Sequence, residues 1–206
     1  MDAKVLEQEK SPSAIEASRQ TPAVGNPAVV GLAAFGLTTM LLQFHNLGWI
    51  GLGPVIWAGF FFGGLAQLIA GLQEQKTGNN FGYVVFSSYG AFWIVLCGYL
   101  LGSTSGLKLL SLSENDLGYF MFAWTLFTAG LWVASFKISK AMLFAFTTLL
   151  AGFILLVLSF WGYPAMKTVA AWDLIACALS AWYMMFHVVY LGIFGRDILP
   201  VGKPIL

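Results

Sequence analysis

Apolar residues run in long blocks along this chain, and the charged positions between them fall at intervals suited to a lipid bilayer. No Asp, Glu, Lys or Arg occurs from Pro27 to Gln73, from Thr77 to Leu107, from Leu117 to Phe136 or from Ala141 to Met166. A helical crossing takes about 20 residues at roughly 1.5 Å rise each, so every block can span. The first is long enough for two crossings, broken at Gly48, Gly51, Gly53 and Pro54. The pattern predicts six helices, near 27–45, 54–73, 83–102, 117–136, 141–160 and 170–192.

Composition turns that pattern into a fold class. Hydrophobic residues make up 59% of the chain, charged ones only 9%, and the mean hydropathy is +0.80. Soluble domains carry about 25% charged residues, and a chain this poor in charge cannot cover an aqueous surface. The expectation is an all-α membrane protein of six transmembrane helices, comprising residues 26–206 and preceded by a mobile cytoplasmic tail over 1–25. That tail is rich in Glu, Lys, Ser, Ala and Pro and has no apolar core of a cleavable signal.

Six crossings put both termini on one side, and the distribution of Lys and Arg chooses the side. With a cytoplasmic N-terminus the inner segments hold Lys4, Lys10, Arg19, Lys76, Lys137, Lys140, Arg196 and Lys203, the outer ones only Lys108 and Lys167. Both termini are therefore expected in the cytoplasm, in a multi-pass protein of the plasma or inner membrane. The same orientation puts Trp49, Tyr99, Tyr119, Trp161, Tyr163 and Trp172 near the outer ends of helices, where amphipathic rings suit the interface. The net charge of +1, without a basic block, implies no nucleic-acid partner. Cys97 and Cys177 lack metal-ligand spacing and read as small buried side chains.

Polar side chains inside the spans need a partner, a neighbouring helix or a wet path. The first helix opens on Asn26, a natural cap, and Pro27, and carries Thr38, Thr39, Gln43, His45 and Asn46. The hydroxyls can bond their own backbone. The Gln43, His45 and Asn46 cluster reads either as a satisfied interfacial group or as a polar vestibule. In the second helix Gly59 and Gly63 have the spacing that lets helix backbones approach, and Gln67 either bonds a neighbour or faces a pore. Ser87, Ser88 and Tyr89, followed by Gly90, look like a lining in the third helix. Weaker polar signals are Thr147 and Thr148 in the fifth helix and Ser180, Tyr183 and His187 in the sixth. Asp173 sits in the first turn of the sixth helix, where the dipole favours an acid.

The spans hold no Lys or Arg and no paired carboxylates, which disfavours a voltage sensor or a carboxylate-driven ion pump. No phosphate loop, metal motif or haem pair is present, and no enzyme activity, metal or cofactor is expected. What remains is a passage lined by hydroxyls, amides and aromatics for a small solute that crosses uncharged or nearly so.

The stretch Asn26 to Gly36, with Thr38-Thr39 and His45-Asn46, resembles the opening of the acetate uptake transporter family. The likeness continues through Gly63-Gly64, Ala66-Gln67, Ala70-Gly71-Leu72, Gly78-Asn79, Phe81-Gly82, Ser88-Tyr89-Gly90 and Phe92-Trp93, and closes on Phe194-Gly195-Arg196, Leu199-Pro200 and Gly202. The resemblance implies six helices per protomer, a hexamer with a pathway in each protomer, and uptake of acetate and related short monocarboxylates, often with protons. It also implies a constriction at a Phe, a Tyr and a Leu, which fall on Phe35, Tyr89 and Leu149, and a pathway alanine at Ala181, with Tyr183 two residues on. On the predicted helices Phe35, Tyr89 and Leu149 share one depth, about 9 to 12 Å from the inner ends. The chain departs from the family near the inner end of the sixth helix, where a run with glutamates is replaced by His187 to Gly192, and in the first loop, where Gly51-Leu52-Gly53-Pro54 lacks an aspartate. Those departures put proton coupling in doubt and make a channel for the acid a competing mechanism. His187 is also a candidate titrating gate. Donors for a carboxylate are expected from Thr39, Gln43, Asn46 and Ser88. The rival readings are a channel for ammonia, urea or a short amide, and a membrane sensor that transports nothing.

Overall fold

A computed structural model describes residues 25–104 and 113–206. The tail expected over 1–25 lies outside these residues apart from Gly25, as does Lys108. Among the described residues six helices are long and apolar enough to cross a membrane: α1 Ala28–Asn46, α2 Gly53–Lys76, α3 Asn80–Thr104, α4 Glu114–Ser135, α5 Lys140–Phe160 and α6 Met166–Phe194. Two of them, α4 and α5, begin before the charge-free blocks do, because polar residues cap them. The Ser113 hydroxyl accepts the Asp116 N–H at 3.1 Å while the Asp116 carboxylate accepts the Ser113 N–H at 2.9 Å, a reciprocal cap. Ser139 likewise accepts the Met142 N–H at 3.1 Å. At α1 the Asn26 carboxamide oxygen accepts the Ala28 N–H at 2.9 Å, and the helix begins one residue later than expected, at Ala28.

One departure from regular helix concerns α2, whose residues Phe61–Ala66 form a π-helical stretch. Such a stretch admits an extra residue per turn and rotates the remainder of the helix about its axis. The glycines around it serve close approach. A side-chain carbon at Gly63 would lie 2.5 Å from the Thr38 hydroxyl of α1, and one at Gly59 would collide with the Cys97 sulfur of α3. One turn beyond the π stretch, Gly71 meets Ser87 of α3 in the same way. The spaced glycines thus seat α2 against α1 and α3.

Neighbours in the chain are neighbours in the bundle: α1 packs on α2 and α6, α2 on α3, α4 on α5 and α5 on α6. Helices α3 and α4 stand further apart and meet through large side chains. Tyr89 faces Trp124 at 5.7 Å between ring centroids, and Phe92 stacks on Phe120 at 5.6 Å. The buried core is aromatic and aliphatic, with Phe92, Trp93, Phe146, Leu149 and Phe153 inside, while Trp57, Phe61, Leu126, Val133 and Ile193 point outward as a lipid-facing surface would require.

The helices alternate in direction, so two faces can be distinguished. The terminal face carries the start of α1, the turns after α2 and α4, and the C-terminal segment. After Gly195, which ends α6 in the left-handed conformation at φ +64°, that segment folds back over the α4–α5 turn. There the Val201 carbonyl accepts the Ala141 N–H at 2.9 Å and the Phe136 carbonyl accepts the Ile205 N–H at 3.0 Å. The opposite face carries aromatic pairs, Trp49 with Trp172 at 5.6 Å and Tyr119 with Trp161 at 5.2 Å.

Candidate pathway and its two chambers

Two chambers lie inside the bundle, one toward each face. The chamber near the opposite face, about 180 Å³, has a polar wall from Thr39, Gln43, His45 and Asn46 of α1, with Lys167 of α6. The chamber near the terminal face, about 210 Å³, is lined by Gln67, Asn79 and Ala181 among mostly apolar side chains such as Leu32, Phe146 and Met184. Phe35, Tyr89 and Leu149 are the three residues that line both. The Phe35 and Tyr89 rings lie 6.1 Å apart, and the Tyr89 hydroxyl is drawn toward α4 by a 2.7 Å hydrogen bond with Thr128. Tyr89 and Leu149 are almost wholly buried.

Thr39, Gln43 and Asn46 follow one another at helical spacing on one stripe of α1. Asn46 donates to the Gln43 carboxamide oxygen at 3.0 Å, and Gln43 in turn donates to the Thr39 carbonyl at 3.3 Å. His45 is tied by its Nδ1 to the Ile50 carbonyl at 3.1 Å. The Thr39 hydroxyl and the Trp93 indole N–H, both on this chamber's wall, are buried with no protein partner. In the other chamber the Gln67 carboxamide is wholly buried and neither its oxygen nor its nitrogen has a partner. A buried orphan of this kind costs about 1–3 kcal/mol, so a polar guest that satisfies it is favoured there.

The remaining candidates from the sequence line neither chamber. Asn26 is an exposed helix cap. Thr38 packs on Gly63 and Ser87 on Gly71. Ser88 is half-buried outside both linings. The Thr148 hydroxyl donates to the Phe144 and Ala145 carbonyls, each at 3.0 Å, and the Tyr183 hydroxyl to the Pro200 carbonyl at 3.0 Å. The Thr148 and Tyr183 hydroxyls thus bond backbone first, while those of Thr38 and Ser87 are buried against glycines without a partner. Sequence reasoning in turn passed over Trp93, Asn79 and Lys167. Asn79 and Lys167 fall in turns and helix ends, where a polar residue draws no notice, and Trp93 reads as plain core.

Two chambers end to end within a six-helix membrane bundle, meeting at a ring of Phe35, Tyr89 and Leu149 and lined by uncharged hydrogen-bonding groups apart from Lys167 at one mouth, define a multi-pass membrane transport protein for small solutes. The chain belongs to the GPR1/FUN34/yaaH family, whose model matches residues 8–192. It is 38% identical over 182 residues to the succinate-acetate/proton symporter SatP of Escherichia coli strain K12, covering 87% of this chain and 96% of that one. It is 35% identical over 167 residues to ammonia transport outward protein 2 of Saccharomyces cerevisiae, covering 77% of this chain and 59% of that one. Among solved structures, that of the bacterial acetate channel SatP superposes with a TM-score of 0.83 at 38% identity, covering 87% of this chain and 99% of that chain.

Proposed function

We propose that the protein carries acetate and related short monocarboxylates across the membrane, a proton moving with each, from the chamber near the opposite face through the ring of Phe35, Tyr89 and Leu149 into the chamber near the terminal face. The carrying observation is that these three residues alone are shared by two chambers that hold hydrogen-bonding groups on either side of them. The relative named as a succinate-acetate/proton symporter supports the substrate class. The terminal face is cytoplasmic, from the excess of Lys and Arg in the segments on that side. Protomers assemble as a hexamer in the cell membrane, each with its own pathway.

Acetate has a methyl end and a carboxylate end. Thr39, Gln43, Asn46 and the Trp93 indole meet the carboxyl group before the ring, and Gln67 meets it after. Ala181 leaves room for the methyl end. Asn26, Thr38, Ser87, Ser88, Thr148 and Tyr183 serve helix ends and packing. At the ring the Tyr89 hydroxyl is engaged by Thr128 and the rest is apolar, so the bare anion is costly and the neutral acid passes more cheaply. Labelled acetate uptake into proteoliposomes should rise as external pH falls. Uptake that ignores a pH gradient would refute the coupling, and absence of flux in both conditions would refute the substrate.

The yeast relative and the nearly apolar walls also favour a second reading, passage of neutral ammonia. Competition between labelled acetate and ammonia separates the two.

A further inference from the structure

Glu74 lies in the last turns of α2, at the terminal-face end, and is 2% exposed. A glutamate so near a helix end would ordinarily reach solvent, yet this one is folded inward against α3. Its Oε2 accepts the Asn79 carboxamide N–H at 2.7 Å and lies 3.5 Å from the Thr77 hydroxyl, while Oε1 is buried with no partner. Asn79 is held at its other end by the Gly82 N–H, which its oxygen accepts at 3.0 Å. Asn79 and Gly82 both line the terminal-face chamber. Gly82 has no side chain to stand between that chamber and the carboxyl group. A side-chain carbon there would sit 2.8 Å from the Glu74 carboxyl carbon and 2.6 Å from the Asn79 amide nitrogen.

The electrostatic surroundings are simple. The elements packed against this part of α2 are α1 and α3. The first carries only His45 as a titratable group, at its far end, and the second carries Tyr83, Tyr89, Tyr99 and Cys97 but no charged residue. On α2 itself Lys76 is exposed. The one contact between a basic side chain and a carboxylate within 4 Å among the described residues, His187 with Asp197, is elsewhere. Glu74 is thus a carboxyl group walled in by neutral groups, with its Oε2 side against Gly82 of the chamber through which the cargo leaves and a hydroxyl, that of exposed Thr77, 3.5 Å from the same oxygen.

We propose that Glu74 is the proton acceptor of the inner chamber: cargo that has crossed the ring as the neutral acid passes its proton to the Glu74 carboxylate across Gly82 and leaves as the anion. The step balances as acid plus Glu74 carboxylate giving carboxylate anion plus Glu74 carboxylic acid. The proton then goes to water at the inner face by way of the Thr77 end, restoring the carboxylate. An almost wholly apolar chamber retains a neutral acid and disfavours an anion, so ionising the cargo there converts it from the form the chamber holds to the form it expels.

The inference rests on the carboxylate-transport reading, and one pair of measurements separates them. In proteoliposomes carrying the full chain, Glu74→Gln keeps an acceptor for Asn79 but takes no proton. Net acetate uptake driven by an acidic exterior should fall about tenfold with KM unchanged, while exchange of labelled for unlabelled acetate at equal pH, which needs no net proton transfer, stays within about twofold of the parent protein. Driven uptake at the parental rate would overturn the inference, and so would loss of exchange together with driven uptake, which would make Glu74 a structural tie between α2 and α3. A parent protein that moves acetate in neither assay would refute the transport reading itself.

Discussion

The two chambers are nearly equal in volume but are built in opposite ways. The one near the opposite face takes most of its polar wall from α1, where Asn46 donates to Gln43 and Gln43 to the Thr39 carbonyl, while the Thr39 hydroxyl and the Trp93 indole are unpartnered. The one near the terminal face takes Gln67 from α2 and Asn79 from the turn before α3, and Gln67 is left without a partner. The first wall is partly self-bonded and leaves the single groups of Thr39 and Trp93 for a guest, whereas the second leaves a whole amide orphaned among apolar side chains, destabilised until a guest arrives. In the proposed transport reading the chamber near the opposite face collects cargo, and the one near the terminal face draws it through the ring and releases it. Removing the ring between them should have the largest effect. Phe35→Ala removes a half-buried ring at the junction and should relieve about 1.4–2.8 kcal/mol of the barrier to a bare anion, a gain of roughly 10- to 100-fold in acetate conductance at neutral pH. The pH dependence of uptake should flatten accordingly. Unchanged flux and pH dependence in this variant would show that the barrier lies elsewhere.

The second test concerns the inner chamber alone. Gln67→Leu replaces the orphaned amide by an apolar side chain of similar size, so the empty protein should gain stability, by about 1–3 kcal/mol, while acetate flux falls by roughly tenfold. Thermal unfolding in detergent and uptake in proteoliposomes read the two effects. A less stable variant with normal flux would mean that Gln67 holds helices together.

This contrast also decided what could be read in the sequence. The six spans were legible because the bilayer imposes a length on every apolar block, and the helix ends were not, because capping by Ser113 and Ser139 carries α4 and α5 past the first charge. The stripe on α1 was visible because helical spacing alone puts 39, 43 and 46 on one side. That Gln67 faces a chamber depends on the π stretch before it, which no residue count signals. Glu74 was hidden for a different reason: a charge after a long apolar block reads as a loop residue, and only the packing of α2 on α3 buries it. Thr38 and Ser87 look like pore hydroxyls in one dimension, yet each faces a glycine of α2.

Charge provides a smaller and more conditional effect. Lys167 is exposed at the outer chamber, and no acid forms an ion pair with it among the described residues. A lone cation at the mouth raises the local concentration of carboxylate anions, within the reach of a Debye length of about 8 Å at physiological salt. Lys167→Gln should raise KM for acetate about threefold at low ionic strength and leave it unchanged at high ionic strength, with the maximal rate unaffected. An effect independent of salt would assign Lys167 a direct contact instead.

The smallest effect on transport is expected outside both chambers, at His187. Its Nδ1 faces two acceptors, the Leu199 carbonyl at 2.8 Å and an Asp197 carboxylate oxygen at 3.1 Å. A carbonyl can only accept, so Nδ1 carries a proton whether the ring is neutral or charged. Charging the ring adds a proton at the other nitrogen and leaves the tie to the C-terminal segment intact. Titration of His187 therefore has no hydrogen bond to break, and the gate suggested by its sequence position lacks a moving part. His187→Gln should cost about 1 kcal/mol, a drop of roughly 2–4 °C in melting temperature, with the pH profile of acetate uptake superimposable on that of the parent protein. A shifted profile would return proton sensing to the end of α6 and leave the two chambers as passive rooms on either side of the ring.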